Sequence, residues 1–205
     1  MNRRAVQAAA LVAVAVFGVW LLFFALPGRY RNRSSGGSSA PAGTPAAAPE
    51  RKITTTLYYI AEDGMSLVGV QREVPFGEPV AEQARRIVEA QLGAAPAPLT
   101  AAVPEGTTLR GVYVTERDCE KEGAACQREA FVDLSPEARN RHTGGALDEL
   151  FTIYAIVNAI SVNLPAISRV QILVDGKEVD TLAGHVDLRH PLEKNLQWVK
   201  TEKED

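Results

Sequence analysis

Cysteine is scarce: the chain carries Cys119 and Cys126 and no other. Two thiols are too few for a disulfide-scaffold fold or for a structural zinc site of the usual four-ligand kind. Their spacing is not C-x-x-C, which argues against a thioredoxin-type redox centre. Histidine is nearly as rare, at three residues. Charge of either sign is not in excess: 22 Lys and Arg stand against 25 Asp and Glu, a formal net charge of −3. Such a small and mixed charge argues against nucleic acid as a partner. No G-x-S-x-G turn is present, and no glycine pair is followed by the Lys-Ser or Lys-Thr of a phosphate loop. Asp and Glu are scattered, so no glycosidase-type carboxylate pair stands out. With 46% hydrophobic residues in 205, the chain suits one domain plus extra segments better than two domains.

What is present begins with a long apolar run. Residues 5–26 read AVQAAALVAVAVFGVWLLFFAL, with Gln7 the one clearly polar side chain and no charge. About 20 apolar residues span a bilayer as a helix, so the run is expected to be an uncleaved transmembrane signal anchor. The competing reading, a cleaved signal peptide, has a shorter apolar region and a small-x-small site, which FALPGR fits poorly. Residues 1–4 are then the cytoplasmic N-terminus. Flanking arginines nearly tie, with Arg3 and Arg4 before the run and Arg29, Arg31 and Arg33 after it, so the positive-inside rule does not set orientation. Residues 27–52 are dominated by Gly, Ser, Ala and Pro, a composition that reads as a flexible linker.

Residues 53–192 carry the pattern of a folded α+β domain. ITTTLYYI and LVGVQREV read as two strands joined around Asp63-Gly64. A helix is expected from about Pro79 to Leu92, where Ala84, Ile87, Val88 and Leu92 recur at helical spacing. TLRGVYVTE and AFVDL read as a second hairpin with a long polar tip holding both cysteines. Ser135 is expected to cap a short helix whose first residue is Pro136. After Gly144-Gly145 a long helix is expected to about Leu164, with a wide apolar face and a narrower stripe of Asp148, Thr152, Ala155, Ala159 and Asn163. VQILV, the turn Asp175-Gly176, and a returning strand from Glu178 to Leu182 close the domain. The expected class is a mixed, mostly antiparallel sheet with helices packed on one face. Residues 193–205 read as a polar tail that frays.

In an oxidising compartment Cys119 and Cys126 are expected to close a short disulfide; the alternative is two free thiols in a cytoplasmic loop. Gly144-Gly145 reads as a helix start needing permissive backbone angles rather than an anion site. Asn158, among apolar neighbours, reads as a buried amide bonded to backbone. His185, Asp187 and His190, with His142 after folding, are the candidates for a metal, but they lack a recognised spacing. The alternative is that His185 and Asp187 secure a terminal turn. Asp133 and Ser135 do not make a hydrolase set without the nucleophile turn.

Five stretches, LYYIAEDGMSLVGVQREV, AAVPEGTTLRGVYV, FVDLSPE, HTGGALDELFTIYAIVNAI and VQILVDGKEVDTLAGHVDL, together resemble the GerMN domain family. The resemblance runs from about Thr54 to Leu192. It marks Gly144, Gly145, Asn158, Asp175, Gly176, Lys177, Gly184, His185 and Asp187 as structural residues of the family pattern. It implies an extracytoplasmic, anchored, non-enzymatic domain used in envelope or sporulation-type assembly, with no cofactor. The partners it implies are the membrane and an envelope protein or a second copy of the chain. The outside placement rests on this resemblance and on the cysteines. Two other readings stay open: a domain binding cell-wall material or a small molecule, and a metal-dependent enzyme using His185, Asp187 and His190.

Overall fold

The structure is a computed structural model that describes residues 51–117 and 127–200. Strand β1 (Lys52–Ile60) and strand β2 (Leu67–Pro75) form an antiparallel hairpin in register from Lys52↔Pro75 to Ile60↔Leu67. Helix α1 (Val80–Gln91) follows, then β3 (Leu109–Arg117) and β4 (Gln127–Leu134). A short α2 (Glu137–Asn140) and the long α3 (Ala146–Asn163) lead to β5 (Ile167–Val174) and the two-residue β6 (Lys177–Glu178).

The α+β class is as expected, but the strands form two sheets. One is the β1–β2 hairpin; the other has the order β3-β4-β5-β6. Its central pair, β4 and β5, is parallel, while β3–β4 and β5–β6 are antiparallel. Parallel neighbours need a long crossover, and α2 with α3 supplies it. The local hairpin signals in the sequence do not reveal this pairing.

Helix α3 lies between the two sheets: with α1 it packs on one face of the four-stranded sheet, against Ala130, Val132 and Leu134, and the hairpin covers its far side. Ile153, Ile156, Val157 and Ile160 join a core with Val132, Leu134, Val170 and Ile172. Phe151, Ala155 and Ala159 join a second core with Leu57, Tyr59 and Leu67 of the hairpin. A helix apolar on all sides belongs in an interior. The stripe of Ala155 and Ala159 therefore faces this chain's own hairpin; both are fully buried and are not offered to a partner. Their small side chains let β1 approach the helix closely.

Side-chain amides seal the edge of β1 that β2 leaves open. Asn163 Oδ1 accepts the Thr56 N–H at 2.8 Å and its Nδ2 donates to Thr56 O at 2.8 Å. Gln91 does the same for Tyr58, at 2.8 and 2.7 Å. Ile60 exchanges main-chain bonds with Thr100. Two amides and one bridge thus replace a third strand, satisfying backbone groups that burial would otherwise leave unpaired.

The expectation of a frayed tail is corrected through Lys200. Leu192 bridges Val170, and Asn195 exchanges two bonds with the Asn158 side chain, at 2.8 and 2.9 Å. Leu67 N donates to Trp198 O and Lys200 N to Leu67 O. The Lys200 ammonium meets Asp63 at 2.6 Å. Polar composition suggests fraying, but here the main chain itself makes the attachment.

Among the described residues, no helix is long and apolar enough to cross a membrane. The apolar run 5–26, Cys119 and Cys126 lie outside the described residues.

Candidate functional site

The first turn of α3 carries the most buried charge in the described chain. Glu149 is fully buried, a position where an unpaired carboxylate is untenable. Its Oε1 accepts the N–H groups of Leu182 and Ala183, at 2.7 and 2.9 Å. Its Oε2 accepts the N–H of His185 at 2.7 Å and faces His185 Nδ1 at 3.1 Å. That ring contact requires the hydrogen on Nδ1. Burial pushes the Glu149 pKa up, but the three backbone donors and the imidazole outweigh it, and the net shift is downward. Gly184, at φ +103, turns the chain so that N–H groups on both sides of it reach one carboxylate. A Cβ there would meet open space, so the demand is conformational. The expected strand to Leu182 stops at Glu178, and the β5 edge further on is taken by Leu188 and Leu192, which bond Gln171 and Val170.

The other sequence candidates sort around this hub. Asp187 does not join His185; its carboxylate binds Arg189 through the main-chain N–H at 3.0 Å and the guanidinium at 2.7 Å. The Arg189 bonds hold its pKa far below the usual carboxylate range. Among the described residues no three His, Cys, Asp or Glu side chains are placed to share a metal ion. Asp175 and Gly176 have φ of 54 and 73, as a tight hairpin turn requires. The turn is held by Asp133, which accepts the Gly176 N–H at 2.7 Å and pairs with Arg110 at 3.1 Å. Arg110 also reaches Asp175 at 2.8 Å. Lys177 follows as an exposed residue of β6. Asn158 clamps Asn195, a backbone role as expected.

Ser135 departs from its expected capping role. Its Oγ accepts the Thr108 N–H at 3.0 Å, and no side chain caps α2. Its hydroxyl is the main cause of the lowered Glu137 pKa, with a small contribution from Arg141. Gly144 has φ +91, whereas Gly145 is extended; a Cβ there would stand 2.7 Å from Asp148 Oδ2, so that carboxylate would have to shift. The Asp148 carboxylate folds back to accept the Thr143 hydroxyl at 2.8 Å.

Beside this helix start is a cleft of about 590 Å³, formed by residues 92–106 and the α2–α3 junction. Ile60, Leu92, Val103 and Pro104 are among its apolar lining residues, and Arg141, His142 and Thr152 among its polar ones. His142 Nδ1 accepts the Gly144 N–H at 3.1 Å, which leaves the ring hydrogen on Nε2, 3.4 Å from Thr152 Oγ1. Thr152 donates in turn to Ala102 O at 2.6 Å. The imidazole is therefore a bracket with both nitrogens engaged. Glu149 and Arg141 were not among the sequence candidates; from the sequence alone Glu149 is an acidic residue at a helix start, where the helix dipole favours it. A glutamate in the first turn of an all-round apolar helix was the available signal for the first.

A helix between two sheets, with Glu149 of its first turn spent on loop backbone, defines a mixed α+β domain. Residues 56–180 match the model of the Germane family, described as sporulation and spore germination, and the chain belongs to that family. Its described residues form a GerMN-like domain. No curated protein sequence matches the chain. Among solved structures, similarity extends to a Clostridium perfringens protein described as a lipoprotein, at 23% identity over 73% of this chain and 93% of that one, with a TM-score of 0.47. It also extends to the tandem GerMN domains of the Bacillus subtilis sporulation protein GerM, at 21% identity over 70% of this chain, with a TM-score of 0.48. This chain spans 45% of that tandem structure. The first GerMN domain alone matches at 20% identity over 70% of this chain and 96% of that one, with a TM-score of 0.45.

Proposed function

We propose that the chain is a non-enzymatic extracytoplasmic module, anchored in the cell membrane by residues 5–26, that works through protein contacts in an envelope or sporulation-type assembly. Family membership supports the process. The observation that carries the non-enzymatic reading is how the polar side chains are used. Glu149, Asp133, His142 and Asn158 each bind main-chain groups and fix loops, as structural networks do. A general base or nucleophile needs reach to a substrate proton or carbon, and these groups are engaged elsewhere. Placement outside also suits the disulfide expected between Cys119 and Cys126.

Topology and partnership are tested on the intact protein in its own membrane. A reporter that works only outside the cytoplasm, fused after residue 205, is expected to be active. Activity of a cytoplasm-only reporter at that point would overturn the placement. In-membrane cross-linking at native levels is expected to trap a defined envelope protein or a second copy. A strictly monomeric, partnerless species would overturn the assembly role.

A further inference from the structure

We propose that the cleft at the α2–α3 junction is a binding site for a small amphiphilic monocarboxylate: an apolar body of about dipeptide size ending in one carboxylate. This inference does not depend on where the domain sits or on what it assembles with. The cleft volume, about 590 Å³, falls within the ordinary range for small-ligand sites. Ile60, Leu92, Val103 and Pro104 line it with apolar surface, which favours an apolar body without fixing its direction.

Arg141 supplies the direction. Arg51, Arg110, Arg128, Arg169 and Arg189 each lie within ion-pair distance of a carboxylate. Arg141, like Arg72 and Arg139, has no such partner among the described residues, and of these three it is the one that lines the cleft; its hydrogen bond is to the Glu105 carbonyl and is long, at 3.4 Å. The guanidinium lies along the cleft wall over Gly106, whose Cβ, if present, would stand 2.8 Å from Nη1. Gly106 has φ +83, which itself calls for glycine, and with a side chain there the guanidinium would have to move from this position. The remaining donors of the planar fork match a carboxylate's two oxygens.

The neighbouring polar groups do not compete for the ligand. His142 is engaged at both ring nitrogens, and Thr152 donates to Ala102. Asp148 and Glu105 also line the cleft; their negative charges repel any anion, and a dianion such as phosphate about twice as strongly as a monoanion, so Arg141 and the apolar body must hold the acid against them. One negative charge on an apolar body is what this combination accepts.

The test uses the full chain in mild detergent and titration calorimetry. The probes are N-acetyl-valyl-alanine with a free carboxylate, the same dipeptide as its C-terminal amide, and hexanoate. Saturable binding of the free acid is expected, with the amide at least about tenfold weaker. Arg141→Gln should weaken the acid by a similar factor, Arg141→Lys less, and Arg189→Gln not at all. Equal binding of acid and amide, or by wild type and Arg141→Gln, would overturn the site. So would the absence of saturable binding for both carboxylates in the millimolar range. If hexanoate matches the dipeptide, the site takes free carboxylates; if only the dipeptide binds, it takes peptide ends. Should Arg141→Gln not fold, the acid-against-amide comparison on wild type decides.

Discussion

Glu149 accepts both the main-chain N–H and the ring Nδ1 of His185, a residue 36 positions further along the chain. This contact joins the first turn of α3 to the loop that closes the domain. Leu182 and Ala183 share the same carboxylate. Replacing Glu149 by Gln keeps the shape but removes the charge and puts an N–H₂ where an acceptor stood. Donors left unpaired in a buried site cost about 1–3 kcal/mol each, not additively, so Glu149→Gln should cost about 2–4 kcal/mol. Urea unfolding of the full chain in mild detergent measures it. A midpoint equal to wild type would show that the loop does not depend on the carboxylate.

The same carboxylate gives stability a pH dependence of known sign. Its folded pKa lies below the ordinary value of 4.5. The native state therefore binds fewer protons than the unfolded chain between the two values. Its contribution is fully present above about pH 4.5 and is lost as pH falls through the folded value. Unfolding midpoints measured from pH 7 downward should be level and then decline in acid. In Glu149→Gln that decline should be shallower. The exposed pair Asp187–Arg189 and the half-buried group of Glu82 with Arg85 and Arg86 add acid sensitivity of the same sign, which is why the comparison is made between the two proteins. Parallel acid curves would remove Glu149 as a source.

Asn158 ties the last described segment to the middle of α3. It gives Asn195 both a donor and an acceptor, as one strand would give another. Asn158→Leu should cost about 1–3 kcal/mol through the stranded backbone groups of Asn195. It should also release the segment that bridges Leu67. Hydrogen exchange followed by mass spectrometry is expected to speed up at Asn195 first and then at Leu67 and Lys200. Unchanged exchange at Asn195 would mean that the segment is held by its other contacts alone.

The features legible in the sequence are the ones coded locally. ITTTLYYI announces β1, Asp175-Gly176 announces its turn, and the apolar period announces α3, each at nearly the observed boundaries. What was hidden depends on partners far along the chain. The parallel pairing of β4 with β5 has no local signature. Ala155 and Ala159 look like a free stripe until the hairpin is placed over them. Glu149 resembles any acidic residue at a helix start until Gly184 folds its loop back. Residues 192–200 look unanchored because side-chain polarity says nothing about main-chain pairing. The cleft was equally invisible, since Arg141 and Gly106 meet only through folding.

Asn163 and Gln91 stand where a neighbouring strand would otherwise run along β1. Asn163 uses its whole amide: Oδ1 accepts from Thr56, and Nδ2 donates to Thr56 and to Ala159. An open strand edge is a template for pairing with another chain, and native proteins cover or charge such edges. Asn163→Leu would keep the volume and strip the edge of its cover at Thr56. The expected loss is about 1–3 kcal/mol, with a rise in concentration-dependent association relative to wild type. Because Thr56 and Tyr58 share one edge, adding Gln91→Leu should increase association beyond the sum of the single changes, as coupled neighbours do. Sedimentation of the full chain in detergent across a range of concentrations, paired with urea unfolding, separates the two effects. Loss of stability without association would mean that the edge is too shielded to recruit a strand. Neither effect would mean that the amide bonds are replaceable by water and that the edge is held by the packing of Tyr59 and Leu57 beneath it.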